Sequence, residues 1–327
     1  MSATAPPSVR PAPVGGGAVT AVEVKNPPAP GTPEWRKVVS PSKIPALLGV
    51  SRFKSQYTVW HEMAGLVEPA PISEPRQDDF DYGHACELAA REYWLYKNPG
   101  WRLSRGEVAY RDDTLSFPNL ATLDLRASRG RTRKVVEVKT ARDKEEWGDD
   151  GSGEVPADYA AQVIAQQHIT GWTDEPADIV VWFQYGKPRI YHVEYQPRLA
   201  KAMFSRVAAM WPTIVAATPP PDLDDSVSTY ETVKAMHPDI DGSTAVLDPV
   251  LAREFLTADA DLKSLTKSHR GLKTRVLDAM GNAQHAVAGD PEQKIARRQP
   301  GSRGAVSLYP ISKTDPNSIT TKESSAA

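Results

Sequence analysis

The chain has 327 residues, a length for about two domains at roughly 150 residues each. Hydrophobic residues make up 40% and charged residues 24%, the composition of an ordinary globular protein, and 39 Lys+Arg against 41 Asp+Glu leave a net charge of −2. That balance removes any whole-molecule electrostatic argument for a nucleic-acid or membrane partner. The single cysteine, Cys86, excludes an intrachain disulfide, a Cys₄ zinc site and a cysteine-ligated iron–sulfur cluster. No apolar run approaches membrane-spanning length and the N-terminus lacks an apolar signal core, so a cytoplasmic protein is expected.

Residues 1–33 are dominated by Pro, Ala, Gly and Val and carry too little apolar surface to offset the entropy of ordering; a disordered leader is expected there. Ser40-Pro41 reads as an N-cap with proline at the first helical position, opening a short helix that stops at Gly49. Further helices are expected over 56–64 and 81–95, then strands over 106–111, 116–126 and 134–140, with 127–133 as a hairpin loop. A helix over 157–170, strands over 179–185 and 189–195, and a helix over 197–216 complete the region. The order predicts an α/β (α+β) domain over 34–218, one mixed sheet flanked by helices. Pro219-Pro220-Pro221 opens an expected linker over 219–248. Residues 249–313 read as one long helix with a coiled-coil-like apolar stripe, then a small β-meander, and 314–327 as a frayed tail.

In Val135-Val136-Glu137-Val138-Lys139, side chains two apart share a face, so Glu137 and Lys139 project together and Val136 and Val138 point into the core. Asp124 projects likewise from Leu123-Asp124-Leu125, and hairpin pairing of the two runs sets it beside Glu137. Taken alone, Glu-x-Lys on a strand is equally a solvated ion pair of little energetic weight. Acids gathered on a buried strand, however, repel one another and lose hydration, a cost that a divalent cation removes. Glu87 lies on the third helix, where an i,i+4 pair with Arg91 is the plainer reading. His84 reads as a surface residue and Cys86 as a small buried hydrophobe. Tyr159, Gln162 and Gln166 fall on one helix face, with Val163, Ile164 and Ile169 opposite as core.

Gly83-x-x-x-Glu87-x-x-Ala90-x-x-Tyr93, then Asp124, then Glu137-x-Lys139, then Tyr159-x-x-Gln162 follow the order of the YqaJ-type viral recombinase nucleases. These are relatives of lambda exonuclease in the PD-(D/E)xK superfamily. The stretch from Trp35-Arg36 through Ser42-Lys43-Ile44 to Ser51 resembles that family's opening segment, and Gln167-His168-Ile169-Thr170-Gly171 continues its helix. Leu123 and Leu125 stand where many members carry Pro and Gly around the acid. The resemblance implies a restriction-endonuclease-like core and a Mg²⁺- or Mn²⁺-dependent 5′→3′ exonuclease acting on double-stranded DNA ends with one or two ions. It implies Glu87, Asp124, Glu137 and the Val138 main-chain carbonyl as metal ligands. Lys139, Tyr159 and Gln162 would complete the catalytic set, with Arg36 and Ser42 on phosphate. Arg126, Arg129, Arg131, Arg133 and Lys134 form a local basic cluster, readable as DNA contacts or as a solvated hairpin tip. The family also implies ring-like homo-oligomers and a cooperating single-strand annealing protein. A restriction-like or structure-specific endonuclease on the same core, and an inert DNA-binding or assembly protein, remain the alternatives.

Overall fold

The computed structural model describes residues 21–300 and 304–320 and divides into two compact units, with the boundary between Ile240 and Asp241. The first unit opens with β1 (Ala21–Val24), α1 (Pro33–Arg36), α2 (Ile44–Leu47), α3 (Gln56–Ala64) and α4 (Glu74–Lys97). Then come β2 (Arg102–Leu103), β3 (Val108–Asp112), β4 (Ala121–Leu123), β5 (Leu125–Arg129) and β6 (Thr132–Ala141). It closes with α5 (Ala157–Thr170), β7 (Ala177–Phe183), β8 (Arg189–Val193), α6 (Pro197–Ala216) and α7 (Val227–Met236). The second unit holds α8 (Pro249–Met280), β9 (His285–Ala288), β10 (Gln293–Pro300) and β11 (Val306–Pro310). No helix among the described residues is long and apolar enough to cross a membrane.

The central sheet runs β2-β5-β6-β7-β8 and is mixed: β6 and β7 are parallel and the other pairs antiparallel. A parallel pair needs a crossover, and α5 supplies it. The apolar residues of α5 pack one face of the sheet, with Val163, Ile164, Ala165 and Ile169 against Val135, Ile179 and Val181. On the other face Ala90 and Trp94 of α4 pack on Val136, Val138 and Val180. A second, three-stranded sheet has the order β1-β3-β4.

Several expectations change. Ala21–Val24 pairs with β3, so order begins inside the stretch read as a leader; residues 1–20 of that stretch lie outside the described residues. Helix α4 starts at Glu74 because Pro75 fits a first-turn position. The strand expected over 116–126 is two strands in different sheets, broken at Asp124. The loop expected over 127–133 shrinks to Gly130-Arg131, because Arg129 pairs with Thr132 and the ladder runs nearly to the tip. Gly130, at φ +60°, supplies the left-handed conformation that so short a turn needs. The expected linker contains α7, fastened to α3 by Ser55 N–H donating to Ser228 Oγ (2.8 Å) and by Thr58 Oγ1 against Thr232 Oγ1 (2.8 Å). In the second unit β11-β10-β9 form the small sheet anticipated, whose Ala296 and Leu308 pack with Met280 of α8. Of the expected tail, Pro316–Ser318 forms a 3₁₀ turn, and 321–327 lie outside the described residues.

Candidate active site at a strand fork

The β5–β6 ladder pairs Leu125 with Val136 and ends there, because β4 leaves for the other sheet. Asp124 is the corner residue. Continued by one step, the register sets Asp124 opposite Glu137. At the fork Val138 has lost its strand partner on this side, and its N–H donates to Asp124 Oδ2 at 2.7 Å. Within a strand a residue's N–H and C=O point to the same side, so the Val138 carbonyl faces the same opening.

Glu137 is buried and receives three donors. Lys139 Nζ and Gln162 Nε2 both donate to Oε1 at 2.5 Å, and Gln166 Nε2 donates to Oε2 at 2.7 Å. Alternation on β6 puts Glu137 and Lys139 on the face that α5 covers, and the helical spacing of Gln162 and Gln166 aims both amides at one carboxylate. Gln166 is fully buried, and its Oε1 has no hydrogen-bond partner among the described residues. Tyr159 stands one turn earlier, its ring centroid 5.5 Å from Lys139 Nζ, with Trp147 stacked on it at 5.5 Å.

Electrostatics ties these groups together. Burial, then the Glu137 charge, hold the Asp124 carboxyl well above the usual range, against the opposing pull of Lys139 and the Val138 N–H. Glu87, on α4, is raised chiefly by burial, with Glu107 and Glu137 adding to it while His84 and Lys139 lower it. Burial alone would lower the Lys139 ammonium; Glu137 and Asp124 outweigh it and hold the pKa above its ordinary value, so Lys139 is a cation at neutral pH. Burial likewise raises the Tyr159 phenol.

The donor set matches a hard divalent cation in chemistry: carboxylates, a main-chain carbonyl, an orphaned buried amide oxygen and incompletely compensated negative charge. It is not an assembled cage. Among the described residues no group of three or more His, Cys, Asp or Glu side chains lies close enough to hold an ion. Glu87 belongs to the helix packed on the opposite face of the sheet, which accounts for its looser association.

The expected DNA contacts do not form one surface. Arg126 Nη1 donates to the Tyr110 hydroxyl at 2.7 Å and lies 3.7 Å from Glu23. Arg133 approaches the Trp172 ring, whereas Arg129, on the other face of the hairpin, lies over Trp101 and 3.6 Å from Glu175. Arg131 is exposed at the turn. Lys134, read with this cluster, is instead buried and paired with Asp178 at 2.7 Å, and Trp94 and His192 also bond that carboxylate. Arg36 is paired with Glu68, and Ser42 Oγ lies 2.9 Å from Ser40 Oγ.

Two residues near these segments carry more than the sequence reading gave them. Lys43 is buried, and its Nζ donates to the carbonyls of Trp35, Arg36 and Val38. Arg52 forms a two-pronged pair with Asp158 (2.8 and 2.9 Å), which ties the segment after α2 to the start of α5 beside Tyr159. The family-like segment stopped at Ser51, one residue short of this arginine.

A model of the YqaJ-like viral recombinase domain matches residues 34–173. The Bacillus subtilis (strain 168) protein YqaJ, described as uncharacterized, is 24% identical over 264 residues, 79% of each chain. A crystal structure of SSO0001 aligns with 64% of this chain and 88% of its own at 12% identity, with a TM-score of 0.34.

Proposed function

Taking residues 34–173 as a YqaJ-like viral recombinase domain, we propose that the protein is a Mg²⁺-dependent 5′→3′ exonuclease on double-stranded DNA ends, leaving 3′ single strands for recombination. The convergence of Asp124, Glu137 and Lys139 at the β5–β6 fork carries this reading, and it is what a PD-(D/E)xK core would present. Polarity and the preference for duplex ends rest on the resemblance.

Asp124, Glu137 and the Val138 carbonyl would hold the ion, with Glu87 completing the acidic set from α4. A bound Mg²⁺ supplies an activated water and offsets charge on the phosphate and the leaving oxygen. Gln162 and Gln166 fix the Glu137 carboxylate, so its orientation is set before substrate arrives. Lys139, as a cation, donates a hydrogen bond and positive charge where negative charge develops on phosphate. Tyr159 and Trp147 make an aromatic wall beside that ammonium.

Linear duplex labelled at its 5′ ends, incubated with Mg²⁺, should release labelled mononucleotide, and EDTA should stop the release. Closed circular DNA should survive; its cleavage would favour the endonuclease. Intact linear duplex under every metal and pH tried would overturn the proposal and leave the inert DNA-binding alternative.

A further inference from the structure

Helix α8 is 32 residues long, about 48 Å at 1.5 Å per residue, and carries an apolar stripe that its own unit leaves largely bare. Leu251, Phe255, Ala258, Leu262, Leu265, His269 and Leu272 alternate spacings of four and three, and the five large apolar side chains among them are 54–68% exposed. Five large apolar side chains in one seam are far more than scattered surface hydrophobicity accounts for. The charges flanking that seam are unevenly spread: Glu254, Asp259 and Asp261 sit in the first half, Lys273 and Arg275 in the second.

We propose that α8 pairs antiparallel with α8 of a second copy of this chain. Heptad geometry fixes the test of this idea. Setting Leu262 against Leu272 of the other copy places Leu265 opposite His269, Ala258 opposite Val276, and Phe255 opposite Ala279. Large residues thus meet small ones toward the ends, the two Leu265–His269 layers sit at the centre, and leucine meets leucine on either side of them. In the same register the flanking positions pair Asp259 with Lys273 and Asp261 with Arg275, each twice by symmetry. Every flanking charge pair in this register is attractive. An in-register parallel pair instead sets Glu254 against Asp259 on both sides and stacks His269 on His269, with no attractive flanking pair. Sliding the antiparallel pair by one heptad keeps only Glu254 with Arg275. Charge complementarity therefore selects both the occupant and its direction.

The small sheet already covers part of the seam's C-terminal end, where Val276 packs with Met280, Ala296 and Leu308, and room for a side chain remains beside it. An apolar groove of about 160 Å³ runs between Leu272 and Val276 of α8 and Ile295 and Leu308 of the small sheet. The groove lies along the layers that Ala258 and Leu262 of the second copy occupy. Asp259 already has an exposed i,i+4 partner in Lys263 at 2.7 Å, a weak pair that the intermolecular one can replace.

The pairing is independent of the nuclease reading and is tested on the full chain by sedimentation over a dilution series. Asp259→Lys/Asp261→Lys turns four attractions into repulsions and should weaken self-association by about tenfold or more. Lys273→Glu/Arg275→Glu should do the same. Mixing the two variants should restore association, because every flanking pair between them is again attractive; restoration also shows that both variants are folded. A wild-type chain that stays monomeric overturns the proposal, as does self-association indifferent to either double variant or a mixture that gains nothing.

Discussion

Glu137 is held by two amides as well as by an ammonium. In Lys139→Ala the carboxylate keeps Gln162 and Gln166 but loses its cation, so the fold should lose stability, by up to about 3–5 kcal/mol, and hydrolysis of labelled duplex should be lost at temperatures where the variant remains folded. Full activity in that variant would remove Lys139 from the reaction. Lys43 makes the opposite kind of prediction. Burial pulls its pKa down to about 7 from 10.5, opposed by Glu62. The unfolded chain therefore binds more protons than the fold between those values, and Lys43 contributes increasing stability as pH rises from about 7 toward 10.5. Below that window the fold carries the cost of the buried charge. Denaturant titrations should show this rise in wild type and a flatter profile in Lys43→Met. Period-two alternation and one step of hairpin register bring Asp124, Glu137 and Lys139 together in the sequence, whereas Glu87, on a helix, enters only through the resemblance. Arg52 was not legible, because its partner Asp158 is 106 residues away and no local pattern reports such a pairing.

Strand β6 shows how one element sorts its residues by parity. Val135, Glu137 and Lys139 face α5; Lys134, Val136 and Val138 face α4. Lys134 shares the parity of two core valines, so its burial against Asp178 was implicit in the alternation, and its company among arginines hid it. Lys134→Ala leaves a buried carboxylate short of its cation and should cost about 3–5 kcal/mol in denaturant unfolding. A loss of DNA affinity with unchanged stability would instead return Lys134 to the phosphate-binding surface. Helix α5 was legible to the residue because apolar spacing and Gly171, at φ +69°, agree on its end. The four-residue β1 was hidden in a Pro- and Gly-rich stretch, and only its pairing with β3 gives it shape.

The candidate site and helix α8 fall in different compact units. All the acids, Lys139 and the α5 amides belong to the first, while α8 and its groove belong to the second. Residues 1–240 expressed alone should unfold cooperatively and hydrolyse linear duplex. A soluble, folded fragment with no hydrolysis would show that the second unit takes part in the reaction. The sequence marked both regions, yet it set the boundary early, because Pro219-Pro220-Pro221 looks like the start of a linker and α7 follows it. That helix is bound to α3 through serine and threonine hydroxyls, contacts that leave no periodic trace.

The corner at Asp124 belongs to neither ladder: β4 ends one residue before it and β5 begins one residue after. Two independently secured sheets thus act like the jaws of a vice, and the acid is the workpiece between them. Adding or deleting a single residue there would leave both jaws closed while swinging the carboxylate out of reach of Glu137, so a change of length at this one point can silence the chemistry in a protein that still folds.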